Sequence, residues 1–395
     1  MSRFRVLLVS HAYSVPFNRA KARALAASGE AEVTLLVPAR WEGEVPGGEE
    51  SPEGEESPGG ETASSYRLAR LPVVWPGRGG GYFFRSGLRK LVDGLRPHLV
   101  HVEEEPWSVS AYQLARLKPA AGFRYLLFSW ENLRKDFRGV RGWMERRTLR
   151  AVDLGIGGNE AAARELRRKG VASVCVLPQL GLDPDGFRRG DAPRPDVFTV
   201  GFAGRWAQEK GLDLLLRAVS GLGGDWRLRL LGSGPQGDAL RALARELGIP
   251  DRVEFLPAVP HAEVAGFLRT LDVLVLPSVT SRGWAEQFGH VMIEAMSTEV
   301  PVVASESGSI PEVVGDAGLL FPEGDVPALR RALSDLRDRP GWAAELAARG
   351  RARVLERYTW ERIAGRTLEL YRSLLDDEAR GRPSRGSGSA EGLRT

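Results

Sequence analysis

Short apolar runs recur along the chain, each followed by a stretch in which apolar residues return at helical spacing. Residues 4–10 (FRVLLVS) read as a buried strand, a helix is expected over 19–28 with Gly29 closing it, and 33–38 reads as the next strand. The same reading places strands at 99–102, 125–130, 153–157 and 174–177. After a Pro/Asp/Arg-rich stretch the pattern restarts with strands at 198–203, 228–231, 253–256, 273–277 and 302–304. Continuous apolar runs, as opposed to alternating ones, are the mark of strands covered on both faces. Strand–helix–strand order predicts parallel pairing with helices on either side. The expected fold class is therefore α/β, with two doubly wound, Rossmann-like parallel-sheet domains facing across a cleft. The expected boundaries are a first domain at 1–182, a hinge at 183–196, a second domain at 197–358, a helix at 359–377, and a disordered tail at 378–395.

Composition refines this picture only locally. The chain has 395 residues, of which 43% are apolar, enough for two cores, and a net charge of +4 that does not by itself point to nucleic acid. No nucleic-acid-binding motif is present. The single cysteine, Cys175, lies in an apolar run and is read as a buried, inert strand residue. No stretch is long and apolar enough to span a bilayer, and the first residues lack a secretory signal's apolar core, so a cytoplasmic location is expected. Residues 42–64 are almost entirely Glu, Gly, Ser and Pro and read as a flexible acidic loop. Between 79 and 90, aromatics stand beside Arg85, Arg89 and Lys90. Two readings are open: a patch lying peripherally on the inner membrane face, or a surface helix whose aromatics pack inward.

Candidate chemistry concentrates in two stretches of the second domain. In Trp284-Ala285-Glu286-Gln287-Phe288-Gly289-His290-Val291-Met292-Ile293-Glu294, two carboxylates bracket a turn and the start of a helix. A helix beginning near Phe288 or Gly289 turns unpaired N–H groups and a positive dipole end toward an anion such as a diphosphate. Ionised carboxylates on either side suit the holding of hydroxyls. Upstream, Gly204-Arg205-Trp206-Ala207-Gln208-Glu209-Lys210-Gly211 follows an apolar strand and precedes a helix expected to start near Leu212. Arg205 offers a bidentate phosphate grip and Lys210 a point charge.

Together these segments resemble the retaining glycosyltransferases of family 4 (glycosyl transferases group 1), whose hallmark is a Glu, seven residues, then a Glu. The segments 231–235, 272–278, 301–305 and 311–314 repeat that family's order. The resemblance implies the GT-B architecture, with the helix at 359–377 crossing back to the first domain, and a sugar carried on a nucleoside diphosphate. It implies that Arg205 and Lys210 neutralise the leaving diphosphate, Glu294 holds the ribose hydroxyls, and Glu286 contacts the donor sugar with help from backbone at Phe288 and Gly289. Gly232 and Gly234 would let backbone approach the nucleotide closely, and the loop through Val259 would meet the base. It also implies that no divalent metal or other cofactor is required. In the first domain, relatives often read His-x-His-x-Glu-Pro where this chain has His101-Val102-Glu103-Glu104-Glu105-Pro106. Either Glu103 takes over the second histidine's contact near the transferred sugar, or the register slips and Glu105 is the important acid. His11 is open between capping its loop and touching substrate. The expected partners are a UDP- or GDP-sugar donor and an unidentified glycan, lipid or small-molecule acceptor. The rival readings are a catalytically silent sugar-nucleotide binder and a GT-B epimerase or phosphorylase relative.

Overall fold

The computed structural model describes residues 3–42, 66–190 and 197–379. The expected acidic loop, apart from its first residue, lies outside the described residues, as do the last six positions of the hinge and 380–395 of the tail. The chain forms two compact units. One comprises 1–181 together with 360–395, and the other 182–359.

In the first unit, β1 (Phe4–Val9), β2 (Ala31–Pro38), β3 (Arg67–Leu71), β6 (Leu99–Val102), β7 (Arg124–Ser129), β8 (Leu154–Gly157) and β9 (Val174–Val176) make one sheet in the order β3-β2-β1-β6-β7-β8-β9. Every pairing in it is parallel. Two further short strands, β4 (Val73–Val74) and β5 (Phe83–Phe84), pair antiparallel outside it. The period of two along β1 explains the layering, because successive side chains leave opposite faces. Val6 and Leu8 enter one core with α1 (Ala20–Ala27) and the closing helix Trp360–Ala379, which contributes Ala364, Leu368, Tyr371 and Leu374. Leu7 and Val9 enter the other core, with Leu88 and Val92 of α2 (Leu88–Leu95), Ala111 and Leu114 of α3 (Val109–Ala121), and Leu166 of α5 (Glu160–Arg168). A basic helix, α4 (Gly139–Ala151), runs alongside α3. Between 79 and 90 the aromatics pack inward: Tyr82 and Phe84 are buried while Arg85, Arg89 and Lys90 are exposed. Cys175 is half-buried on β9, and burial raises its thiol pKa to about 11.

In the second unit, β10 (Phe198–Ala203), β11 (Trp226–Leu231), β12 (Val253–Leu256), β13 (Val273–Leu276), β14 (Val302–Ser305) and β15 (Leu319–Phe321) form a parallel sheet in the order β12-β11-β10-β13-β14-β15. Its helices are α6 (Leu212–Ser220), α7 (Gly237–Glu246), α8 (His261–Leu268), α9 (His290–Ser297), α10 (Ile310–Val314), α11 (Val326–Asp338) and α12 (Pro340–Arg357). The order reverses between β10 and β13, and in doubly wound sheets ligands gather beyond the carboxyl ends of strands at such a reversal. The two ends of this unit meet. Leu182 N donates to Tyr358 O at 3.0 Å, and a parallel bridge pairs Leu182 with Thr359. The chain then enters the closing helix α13 (Trp360–Ala379), which packs on α1 in the first unit.

Candidate active site

The loops that leave β10, β11, β12, β13 and β14 all lie at the carboxyl edge of the second sheet, and they carry Arg205, Lys210, Gly232, Gly234, Val259, Glu286, Phe288 and Gly289. After β10, Arg205 is exposed on its loop, and a single 3-10 turn, Gln208–Lys210, delivers Lys210 just ahead of α6. After β13, the chain passes Ser278 and Trp284 and reaches Glu286, whose side chain is 8% exposed. Lys210 Nζ lies 2.7 Å from Glu286 Oε2, Ser278 Oγ donates to the same oxygen at 2.9 Å, and the ammonium sits 4.8 Å from the centroid of the Trp284 ring. A carboxylate removed from water in this way needs a charge and a donor of its own, and it has both.

The backbone that fixes Glu286 comes from the β14 loop. Ser309 N and Oγ both donate to Glu286 O, at 2.9 and 3.2 Å. Gly308 stands at φ +55°, and a Cβ there would overlap the same carbonyl oxygen. Only a glycine lets the two loops close on each other here. Gly289, at φ +71°, forms the N-cap of α9, so the helix begins at His290, just after the start expected near Phe288 or Gly289. Phe288 is buried, with its ring edge-on to Tyr358 at 5.6 Å.

Glu294, one turn into α9, does not join Lys210. His261 Nε2 and His290 Nδ1 each lie 2.8 Å from its Oε1. Burial pushes this carboxyl up, but the hydrogen bonds from His261 and His290 outweigh it and hold the pKa at about 2. Glu294 is therefore ionised at any ordinary pH. The sequence reading missed the role of His261, which lies far from Glu294 in the chain; the i, i+4 spacing of His290 and Glu294 on one helix was the available signal. Gly232 and Gly234 have a local reason to be glycine. A Cβ on the first would overlap Gly204 O, and one on the second would lie 2.5 Å from Trp206 O. They make room for the neighbouring β10 loop, whose Trp206 N donates to Ser233 O at 2.7 Å. Val259 is half-buried on the loop after β12.

At the carboxyl edge of the first sheet, the three consecutive acids have separate surroundings. Glu103 is 3% exposed, paired with Lys21 of α1 and hydrogen-bonded by Tyr13 Oη, with Gln179 Nε2 at 3.1 Å. Burial raises its pKa, and the neighbouring Lys21 and His101 and the Lys21 and Tyr13 hydrogen bonds more than reverse this, leaving it below the usual carboxylate range. His101 beside it is held neutral, with burial lowering its pKa to about 3, and its Nδ1 meets Tyr371 Oη at 2.8 Å. Both oxygens of Glu103 are thus engaged inside this unit. Glu104 Oε1 accepts from His11 N at 2.7 Å and from Tyr82 Oη at 2.8 Å, and the His11 ring, stacked on Trp41, meets the same oxygen at 2.7 Å. Glu105 accepts from Ser129 Oγ at 2.6 Å and Trp130 N at 2.8 Å, and burial raises its pKa to about 7.

Residues 16–179 match the family model described as "Glycosyl transferase 4-like domain", and residues 187–353 match "Glycosyl transferases group 1". A D-inositol 3-phosphate glycosyltransferase of Streptomyces bingchenggensis is 33% identical over 328 residues, covering 75% of this chain and 68% of its own length. The chain belongs to the group 1 glycosyltransferases. A further member, a D-inositol 3-phosphate glycosyltransferase of Mycobacterium marinum, is 34% identical over 220 residues, covering 51% of this chain and 46% of its own. The chain spans about half the length of the curated relatives it matches. Among solved structures, the sucrose-phosphate synthase of Thermosynechococcus elongatus superposes with a TM-score of 0.69 at 25% identity, over 95% of this chain and 100% of that one. The two parallel-sheet units and this likeness identify the fold as GT-B. Among the described residues, no helix of this group 1 glycosyltransferase is long and apolar enough to cross a membrane.

Proposed function

We propose that this group 1 glycosyltransferase moves a sugar from a nucleoside-diphosphate donor to a hydroxyl acceptor with retention at the anomeric carbon. The observation that carries the reading is the contact between Lys210 and Glu286, held at the carboxyl edge of the second sheet beside the start of α9. A nucleoside diphosphate gains negative charge as it leaves. Cations already in position favour that state over the ground state, and here Lys210 and Arg205 would take the place a divalent metal fills elsewhere. Glu286, with one oxygen engaged by Lys210 and Ser278, would accept hydroxyls of the donor sugar, while ionised Glu294 would accept those of the ribose.

In the step itself, the bond from the anomeric carbon to the diphosphate oxygen breaks and the bond to the acceptor oxygen forms on the same face. The acceptor's proton passes to the departing phosphate oxygen. Donor and acceptor supply all atoms and electrons, so no redox partner enters. Glu103, buried against Lys21, acts here through the shape of its loop and not by touching the sugar. Glu105 lies at the same edge with a pKa near neutrality.

The test is turnover of radiolabelled UDP- and GDP-sugars by the wild type and by Lys210→Ala. Transfer by the wild type and its loss in a folded variant support the reading; near-normal transfer by Lys210→Ala ends it.

A further inference from the structure

Among the described residues, one trio of metal-binding side chains converges: His261 Nε2, His290 Nδ1 and a Glu294 oxygen all lie within 4.8 Å of one another. Two helix starts bring them together. His261 is the first residue of α8, His290 the first of α9, and Glu294 follows one turn later on the same face as His290. The His261 ring leans on Phe187 at 5.3 Å between centroids, which limits its swing. Side-chain exposures are 20% for His261, 24% for His290 and 5% for Glu294, so the trio is reachable from solvent while its carboxylate is sheltered.

We infer that this trio is a binding site for a divalent transition metal, Zn²⁺ foremost, and that metal and sugar nucleotide exclude each other there. Two imidazoles and one carboxylate are the donor set that borderline ions prefer, whereas Mg²⁺ and Ca²⁺ favour oxygen alone. Tetrahedral Zn²⁺ takes nitrogen and oxygen at about 2.0–2.2 Å, which sets its ligands about 3.3–3.5 Å apart. The two His–Glu contacts stand at 2.8 Å and the two ring nitrogens within 4.8 Å of each other, so an opening of roughly half an ångström at the carboxylate, with the rings set to the same spacing, admits the ion in place of the two shared protons. Three protein ligands leave the fourth position to water. The exclusion rests on the reading of Glu294 as the acid that holds the ribose: a carboxylate bound to zinc cannot also receive those hydroxyls. Zinc would then act as a brake on the transferase instead of a cofactor.

The probe is Co²⁺ added to the full chain without nucleotide. The expected result is strong visible absorption of a four-coordinate ion, saturating at one equivalent per chain and displaced by Zn²⁺. Losing an outer-shell partner alone costs about 10–100-fold in metal affinity, so His261→Gln and His290→Gln should each lose at least that much. Weak six-coordinate absorption in the wild type, or affinity unchanged in both variants, overturns the site. If either variant fails to fold, the wild-type band intensity decides alone. In a second arm, donor affinity is measured with free Zn²⁺ fixed by a metal buffer, so that chelation by the nucleotide is accounted for. A drop of about tenfold when free zinc is ten times its dissociation constant supports exclusion. Tight zinc with undiminished donor binding overturns the exclusion and counts against Glu294 as the ribose acid, while leaving the metal site standing.

Discussion

Lys21→Met separates a structural role for Glu103 from a catalytic one. Lys21 and Glu103 are 1% and 3% exposed, and the variant leaves a carboxylate buried with only neutral partners, Tyr13, Gln179 and neutral His101. Removing one member of a buried ion pair costs about 3–5 kcal/mol, because the abandoned charge keeps its desolvation penalty. For a unit of this size each kcal/mol moves the melting temperature by about 2–4 °C, so the expected drop is about 6–20 °C by calorimetry. The pH dependence carries its own sign. In the wild type the pKa of Glu103 is depressed, so its contribution is present above the unfolded carboxyl pKa and is lost as pH falls through the folded value. In Lys21→Met the unpaired acid titrates higher than in the unfolded chain, so the variant's deficit shrinks on acidification. The double variant Lys21→Met with Glu103→Gln removes the buried charge altogether, and most stability and activity should return. A single variant that loses less than about 1 kcal/mol would refute the energetic argument. A double variant that is stable yet inactive would instead place Glu103 in the chemistry.

Three further outcomes follow from the same geometry. Lys210→Ala and Glu286→Gln should each lower kcat by on the order of 10²–10³-fold, as measured by single-turnover transfer in variants that remain folded. Glu105, raised to about 7 by burial, keeps its proton in the folded state where the unfolded chain has released it; stability should therefore fall as pH rises from about 4.5 to about 7, and Glu105→Gln should flatten that slope in urea titrations. Gly308→Ala would push a methyl onto the Glu286 carbonyl, and transfer should drop far more than the melting temperature, whereas Gly248→Ala, a glycine at φ +72° with open space around it, should spare transfer.

The strands were readable from the chain because central parallel strands, covered on both faces, leave unbroken apolar runs; β6 and β12 begin and end where the pattern places them. The start of α6 at Leu212 was equally plain, since a glycine stands directly before an apolar helical face. The contact between Lys210 and Glu286 was legible only as two separate motifs, for the spacing of residues far apart says nothing of a 2.7 Å approach. The partners of Glu103 were not legible at all. Three adjacent acids at a strand end suggest a ligand site, but relief for the first comes from Lys21, buried on a helix whose sequence marks it as an ordinary surface cation. Charges that neutralise each other across many residues leave no local periodicity. His261 escaped for the same reason, and Tyr82 and Phe84 resolved inward because a short hairpin, invisible in so brief a run, turned them there.

The bridge between Leu182 and Thr359 gives the second unit a single threshold, since the chain enters and leaves it through neighbouring residues. A segment with adjoining ends can be cut out and replaced whole, two splices meeting at one spot, without asking the remaining chain to span a gap. Grafting the corresponding stretch of a relative between 181 and 360 is therefore a direct way to exchange what the protein recognises at that half while the rest stays as it is.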